Sequence, residues 1–134
     1  MGDNRLIMNK RIGIWGSLFL GTAVILGAFG AHYLKNVLLA DQIDTFQTGV
    51  QYQFIHGLGL LFLGLIGGSN VEKFFRWASF MLIIGIILFS GSLYLLSFQE
   101  WLNYNVSFLG PVTPLGGLAF ILGWLFVLLG FTKQ

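Results

Sequence analysis

Cysteine is absent from this 134-residue chain, which excludes disulfides, thiolate metal sites and a cysteine nucleophile. Charge is scarce: charged residues make up 9% of positions, against roughly 25% in a soluble domain. So small a supply cannot coat a water-facing surface, and an ordinary cytosolic enzyme or a disordered regulator is excluded. The pI is near 9.2, but it rests on 7 basic against 5 acidic residues. That is too few to track a phosphate backbone, so no nucleic-acid partner is expected. There is no Gly-rich phosphate loop after a strand, no His-Glu-x-x-His and no paired carboxylates. Ser90-Gly91-Ser92 is not a nucleophile elbow, because no strand precedes it and no acid accompanies the histidines. The chain is therefore expected not to be an enzyme, and no catalytic residue is assigned.

Hydrophobic residues fill 56% of the chain, with a mean hydropathy of +0.82. Charges cluster between the neutral windows Ile12–Leu34, Thr45–Val71, Trp77–Gln99 and Trp101–Thr132. Each window exceeds the about 20 apolar residues that a helix needs to cross a bilayer core. Backbone in hydrocarbon must satisfy its own hydrogen bonds, so helices are expected. A β-barrel would need alternating polar and apolar residues, and Leu58–Ile66 and Met81–Phe89 do not alternate. The pattern predicts a single all-α transmembrane domain over residues 1–134, with spans at about 12–34, 48–68, 77–98 and 113–131.

Orientation follows from lysine and arginine in the short flanks. Arg5, Lys10 and Arg11 precede the first span, Lys73 and Arg76 lie between the second and third, and Lys133 follows the fourth. The first connection holds only Lys35, opposed by Asp41 and Asp44. Both termini are thus expected in the cytoplasm, with the loops at about 35–47 and 99–112 outside. The start of the chain resembles a secretory signal, but its apolar run continues through His32 to Leu34, longer than a signal core. It is read as a retained span.

Lipid offers no hydrophobic drive for helix association, so small residues must let backbones approach. Candidate packing positions are Gly13, Ser17 and Gly21 at four-residue spacing, Gly27 in a second row with Ala23 and Ala31, the Gly64-x-x-x-Gly68 pair, and Gly117. They could serve packing within a chain or between copies. Pro114 suits the first turn of a helix and Thr113 its N-cap. Trp77, Trp101 and Tyr104 lie near span ends, as interfacial aromatics do.

Polar side chains at membrane depth are costly and mark functional candidates. The cluster singled out is His32, Gln51, Gln53, His56, Ser90, Tyr94 and Thr113. Tyr52, Gln53 and His56 can share one helical face, while Gln51 leans to another. For His56 the plain alternative is an interhelical hydrogen bond to Tyr94, Ser90 or a backbone carbonyl; for His32 it is capping the last carbonyls of its span. Two histidines in a four-helix bundle raise haem b, and a bound lipid is conceivable, but nothing in the spacing demands either. No metal site is expected. No carboxylate or cation lies well inside a span, unlike proton relays or ion-coupled carriers.

Four blocks then stand out in order. They are Gly27-Ala28-Phe29-Gly30-Ala31-His32-Tyr33-Leu34-Lys35, Thr48-Gly49-Val50-Gln51-Tyr52-Gln53-Phe54-Ile55-His56, Phe89-Ser90-Gly91-Ser92-Leu93-Tyr94 and Thr113-Pro114-Leu115-Gly116-Gly117. With them the chain resembles, from about residue 10 to 130, the small bacterial inner-membrane proteins grouped as domain of unknown function 423. Their eukaryotic relatives are similar to transmembrane protein 256. The resemblance implies a four-helix bundle in the bacterial inner membrane and leaves its biochemical role open. Two readings follow. One is an accessory or structural subunit, associating with other membrane proteins or with itself among membrane lipids. The other is a small-molecule, ion or lipid-binding or transport protein with an outer-half polar pocket around His56.

Overall fold

A computed structural model describes residues 3–66 and 72–133. Among them every regular element is helical: α1 (Asp3–His32), a 3-10 turn at Leu34–Asn36, α2 (Ala40–Ile66), α3 (Glu72–Gly85), a π-helical turn at Ile86–Ser90, α4 (Gly91–Ser97), a 3-10 turn at Ser107–Leu109, and α5 (Val112–Thr132). Four stretches are long and apolar enough to cross a membrane: Lys10–Asn36, Ala40–Ile66, Lys73–Ser97 and Ser107–Thr132. The protein is an all-α integral membrane protein, with α3, the π turn and α4 forming its third span.

The helices of all four spans start ahead of the sequence expectation, and for two of them the local reason is visible. The second span begins at Ala40, well ahead of position 48. The Gln42 side chain reaches back to accept from the Leu39 backbone N–H at 3.0 Å, half of a capping box, and Asp41 sits in the first turn, where the helix dipole favours an acid. The fourth span begins at Val112 after Pro111. Thr113 therefore lies inside the first turn and is not the N-cap; its hydroxyl is committed to Ser92 instead. Pro114 falls within the first turn, where its missing N–H costs no helix bond.

The buried positions repeat every three to four residues. In α2 they are Phe46, Gly49, Gln53, His56, Gly57, Leu60 and Leu63; in α5 they are Gly116, Ala119, Phe120, Gly123, Val127 and Gly130. A seven-residue repeat is the signature of left-handed, near-parallel helix packing. α1 obeys it with small residues alone, at Gly16, Ala23 and Gly30, and packs along α2. A Cβ on Gly16 would stand 2.6 Å from the Leu61 nitrogen and 3.0 Å from the Gly57 oxygen, so only glycine permits this approach. α2 also packs on the third span, which in turn packs on α5.

Two apolar clusters lie at opposite ends of the bundle. One gathers Leu60, Leu63, Phe75, Ala78, Leu82, Ile86, Phe120 and Val127. The other, Leu34, Leu38 and Phe46, sits beneath the first connection and is joined by Tyr94 and Phe98. Between them runs a layer of polar side chains.

Candidate functional site

The polar layer centres on Gln53, the midpoint of α2 and 4% exposed. Its amide donates to the Phe19 carbonyl at 2.9 Å and to the Thr22 hydroxyl at 2.8 Å, both on α1. Its oxygen accepts from the Tyr94 hydroxyl at 2.7 Å. One carboxamide thereby ties three spans together. Thr22 passes the chain on by donating to the Leu18 carbonyl at 2.8 Å. One turn of α2 away, Ser90 is fully buried and donates to the Gly49 carbonyl at 2.7 Å. Ser92 meets Thr113 at 2.6 Å, hydroxyl to hydroxyl, which joins the third span to α5.

The π turn makes this arrangement possible. A π-helical turn carries one residue more than the α-helical path, so the faces of the span rotate across it. Ser90 is turned towards α2, while the Phe89 backbone lies against α5. A Cβ on Gly116 would come within 2.8 Å of the Phe89 Cα. A Cβ on Gly49 would meet the Tyr94 ring at 2.8 Å, so glycine at 49 makes room for the ring whose hydroxyl reaches Gln53.

His56 belongs to a different environment. It is 5% exposed, and its ring stacks on Phe120 at a centroid distance of 3.5 Å and an interplanar angle of 7°. Nδ1 lies 2.6 Å from the Tyr52 carbonyl oxygen. A carbonyl can only accept, so Nδ1 carries the proton. The histidine's partner is thus a carbonyl of its own helix and not Tyr94 or Ser90, which are engaged with Gln53 and Gly49. Among the described residues Nε2 has no hydrogen-bond partner, yet no wholly buried side-chain nitrogen or oxygen is left unpaired. Nε2 therefore opens to a cleft of about 570 Å³ between α2 and α5, lined by Tyr52, His56, Phe89, Phe120, Trp124 and neighbours.

The seven candidate polar residues do not converge on one pocket. Gln53 and Tyr94 are bonded to each other; Ser90 and Thr113 serve separate contacts; His56 faces the α2–α5 cleft. His32 is exposed at the end of α1 and is not among the residues that line the cleft His56 faces. Gln51 is exposed on the opposite side of α2 from Gln53 and, like Gln47 one turn earlier, finds no hydrogen-bond partner among the described residues. Both border a second groove of about 470 Å³, over Gly27 and Val50. The pocket expected in the outer half is replaced by a layer at the middle of α2, because that helix starts earlier than the apolar window indicates.

The candidate packing positions also divide. A Cβ on Gly27 would meet Val50 at 3.4 Å and one on Gly117 would meet Phe89 at 3.9 Å, both ordinary contacts, whereas one on Gly13 or Gly21 would meet nothing within 4 Å among the described residues. Ser17 is exposed and Gly64 half-buried, and Gly68 lies outside the described residues. Sequence reasoning missed Gly16, Gly49, Thr22 and Phe120, whereas Gly116, a small residue of the fourth span, does make the close backbone approach that small residues are expected to allow. The seven-residue spacing of Gly16, Ala23 and Gly30 is a signal that could have found the first. Among the described residues no group of three or more His, Asp or Glu could hold a metal.

Comparison with known proteins agrees with this architecture. The UPF0382 membrane protein SSP2132 of Staphylococcus saprophyticus is 41% identical over 120 residues, covering 90% of this chain and 95% of that protein. The UPF0382 membrane protein YwdK of Bacillus subtilis is 38% identical, covering 90% and 94% respectively. The UPF0382 inner membrane protein YgdD of Escherichia coli is 39% identical over 107 residues, covering 80% and 78%. No solved structure matches the chain. Similarity to a protein named for the inner membrane, together with four spans, places the chain in the bacterial inner membrane. Residues 26–117 match the family described as "Protein of unknown function (DUF423)", and with these relatives at its side the chain belongs to that family.

Proposed function

We propose that the protein acts by association within the bilayer, as an accessory subunit joined to another membrane protein or to copies of itself. The observation that carries this reading is Gln51. It lies two residues before the midpoint of α2, faces outward, and has no hydrogen-bond partner among the described residues. A carboxamide left in hydrocarbon costs several kcal/mol by transfer estimates of roughly 2–7 kcal/mol, a cost relieved when a neighbouring protein supplies donors and acceptors. Gln47 extends the same polar edge along the groove over Gly27. Gln53, Tyr94, Ser90, Ser92 and Thr113, by contrast, spend their side-chain groups on contacts between the spans, which favours contact over solute passage.

Photo-crosslinking in native membranes tests this. The chain has no cysteine, so Gln51→Cys carries a benzophenone maleimide at one defined point, and Leu125→Cys on exposed α5 serves as control. The expected result is a discrete protein adduct from position 51 and not from 125, with Gln51→Leu weakening co-purification of the same species in mild detergent. Labelling of lipid alone at position 51, together with a silent Gln51→Leu, would overturn the proposal.

A further inference from the structure

We infer that the cleft between α2 and α5 is a binding site for a lipid-borne hydroxylated ring of the quinol class, held by a hydrogen bond to His56 Nε2. Three observations lead there independently of the association reading. First, the Nδ1 contact with the Tyr52 carbonyl fixes the tautomer, so in the neutral ring Nε2 is a lone-pair acceptor. Among the described residues it is an unpartnered atom on a residue only 5% exposed, and it opens into the cleft. Second, the walls are aromatic: Tyr52, Phe89, Phe120 and Trp124 surround it, with Tyr52 and Phe89 centroids 4.5 Å apart. Rings prefer offset or edge-on aromatic neighbours, which favours a planar ring over an acyl chain. Third, Leu118, Ile121 and Trp124 on the cleft's rim are exposed on the bundle surface, so the occupant enters from the bilayer and is itself lipid-soluble.

Size agrees. A cavity of about 150 Å³ accommodates benzene, and about 570 Å³ holds a substituted ring with the first part of its tail. Hydrogen-bond polarity selects the redox form. A quinol hydroxyl donates to Nε2, whereas a quinone carbonyl is an acceptor and would face another acceptor.

The test uses the full-length protein in nanodiscs, titrated with decylubiquinol under reducing conditions and with decylubiquinone in parallel. The expected result is saturable quinol binding about tenfold tighter than quinone binding, the ratio one neutral hydrogen bond supports. His56→Phe keeps a ring against Phe120 and removes the acceptor, so the preference disappears. Gly117→Leu, at a position that lines the cleft and where a Cβ would make only an ordinary 3.9 Å contact with the Phe89 ring, narrows the cleft while leaving His56 in place and weakens both forms. Melting curves on each variant verify the fold. Equal affinity of the unmodified protein for both forms, or binding indifferent to both substitutions, would overturn the inference, as would an absence of saturable binding. Because neither variant touches Gln51, failure here leaves the photo-crosslinking result unaffected.

Discussion

Gln53 is the residue on which α1, α2 and the third span meet. Its side chain uses two donors and its acceptor at once, and each partner belongs to a different kind of group: a backbone carbonyl, a hydroxyl and a phenol. Interhelical hydrogen bonds in membrane proteins average about 0.6 kcal/mol and reach about 1.7. Tyr94→Phe removes one such bond and is expected to cost about 0.6 kcal/mol. Gln53→Leu removes all three and orphans the Tyr94 hydroxyl, so about 1–2 kcal/mol is expected. Titration with a denaturing detergent, followed by tryptophan fluorescence, measures both. The opposite ranking would mean that the layer is not what binds α1 to the bundle. Gln53 was legible as an anomaly, a carboxamide in an apolar window. Thr22 was not, because a threonine on a helix can satisfy its hydroxyl on the carbonyl one turn back and so gives no sign of a second partner.

Elements pose a different problem from residues, since their positions were readable and their faces were not. The four neutral windows located the four spans because bilayer thickness imposes a minimum length that composition alone reveals. Which side of a helix faces inward depends on a repeat. Gly13, Ser17 and Gly21 obey a four-residue spacing, yet a Cβ at Gly13 or Gly21 would meet nothing within 4 Å among the described residues and Ser17 is exposed, whereas Gly16, Ala23 and Gly30 obey seven and are buried against α2. On a helix of 3.6 residues per turn, seven keeps nearly to one line while four drifts steadily. The π turn at Ile86–Ser90 has no sequence signature that separates it from ordinary helix, yet it sets which way Phe89 and Ser90 face. Gly116 is the place to probe it. Gly116→Ala puts a methyl against the Phe89 backbone, and overpacking of this kind costs about 1–3 kcal/mol. Gly117→Ala, with its nearest neighbour at 3.9 Å, is expected to be tolerated. Retention of a monodisperse detergent peak after heating compares the two; equal behaviour would show that the π turn yields to α5 rather than being held by it.

For the whole molecule, charge placement carries an expectation about orientation that packing does not supply, since the bundle folds the same way whichever side faces the cytoplasm. The bias is one-sided: Arg5, Lys10, Arg11, Lys73, Arg76 and Lys133 fall on one side and Lys35 alone on the other. Lysine and arginine in short flanking segments resist translocation, so the richer side stays in the cytoplasm. The absence of cysteine makes a background-free measurement possible. Asn36→Cys, in the exposed turn after α1, and Asn105→Cys, in the exposed loop before α5, are expected to react with a membrane-impermeant maleimide in intact cells. Lys133→Cys is expected to react only after permeabilisation. Labelling of all three in intact cells would mean that the chain inserts both ways round, and copies of opposite orientation would then be free to pair. In that case the polar edge of Gln47 and Gln51 could meet its own antiparallel counterpart across a two-fold axis. A strict orientation instead requires any pairing to be between parallel copies or with a different chain, so this measurement also decides which geometry the crosslinked adduct at Gln51 can have.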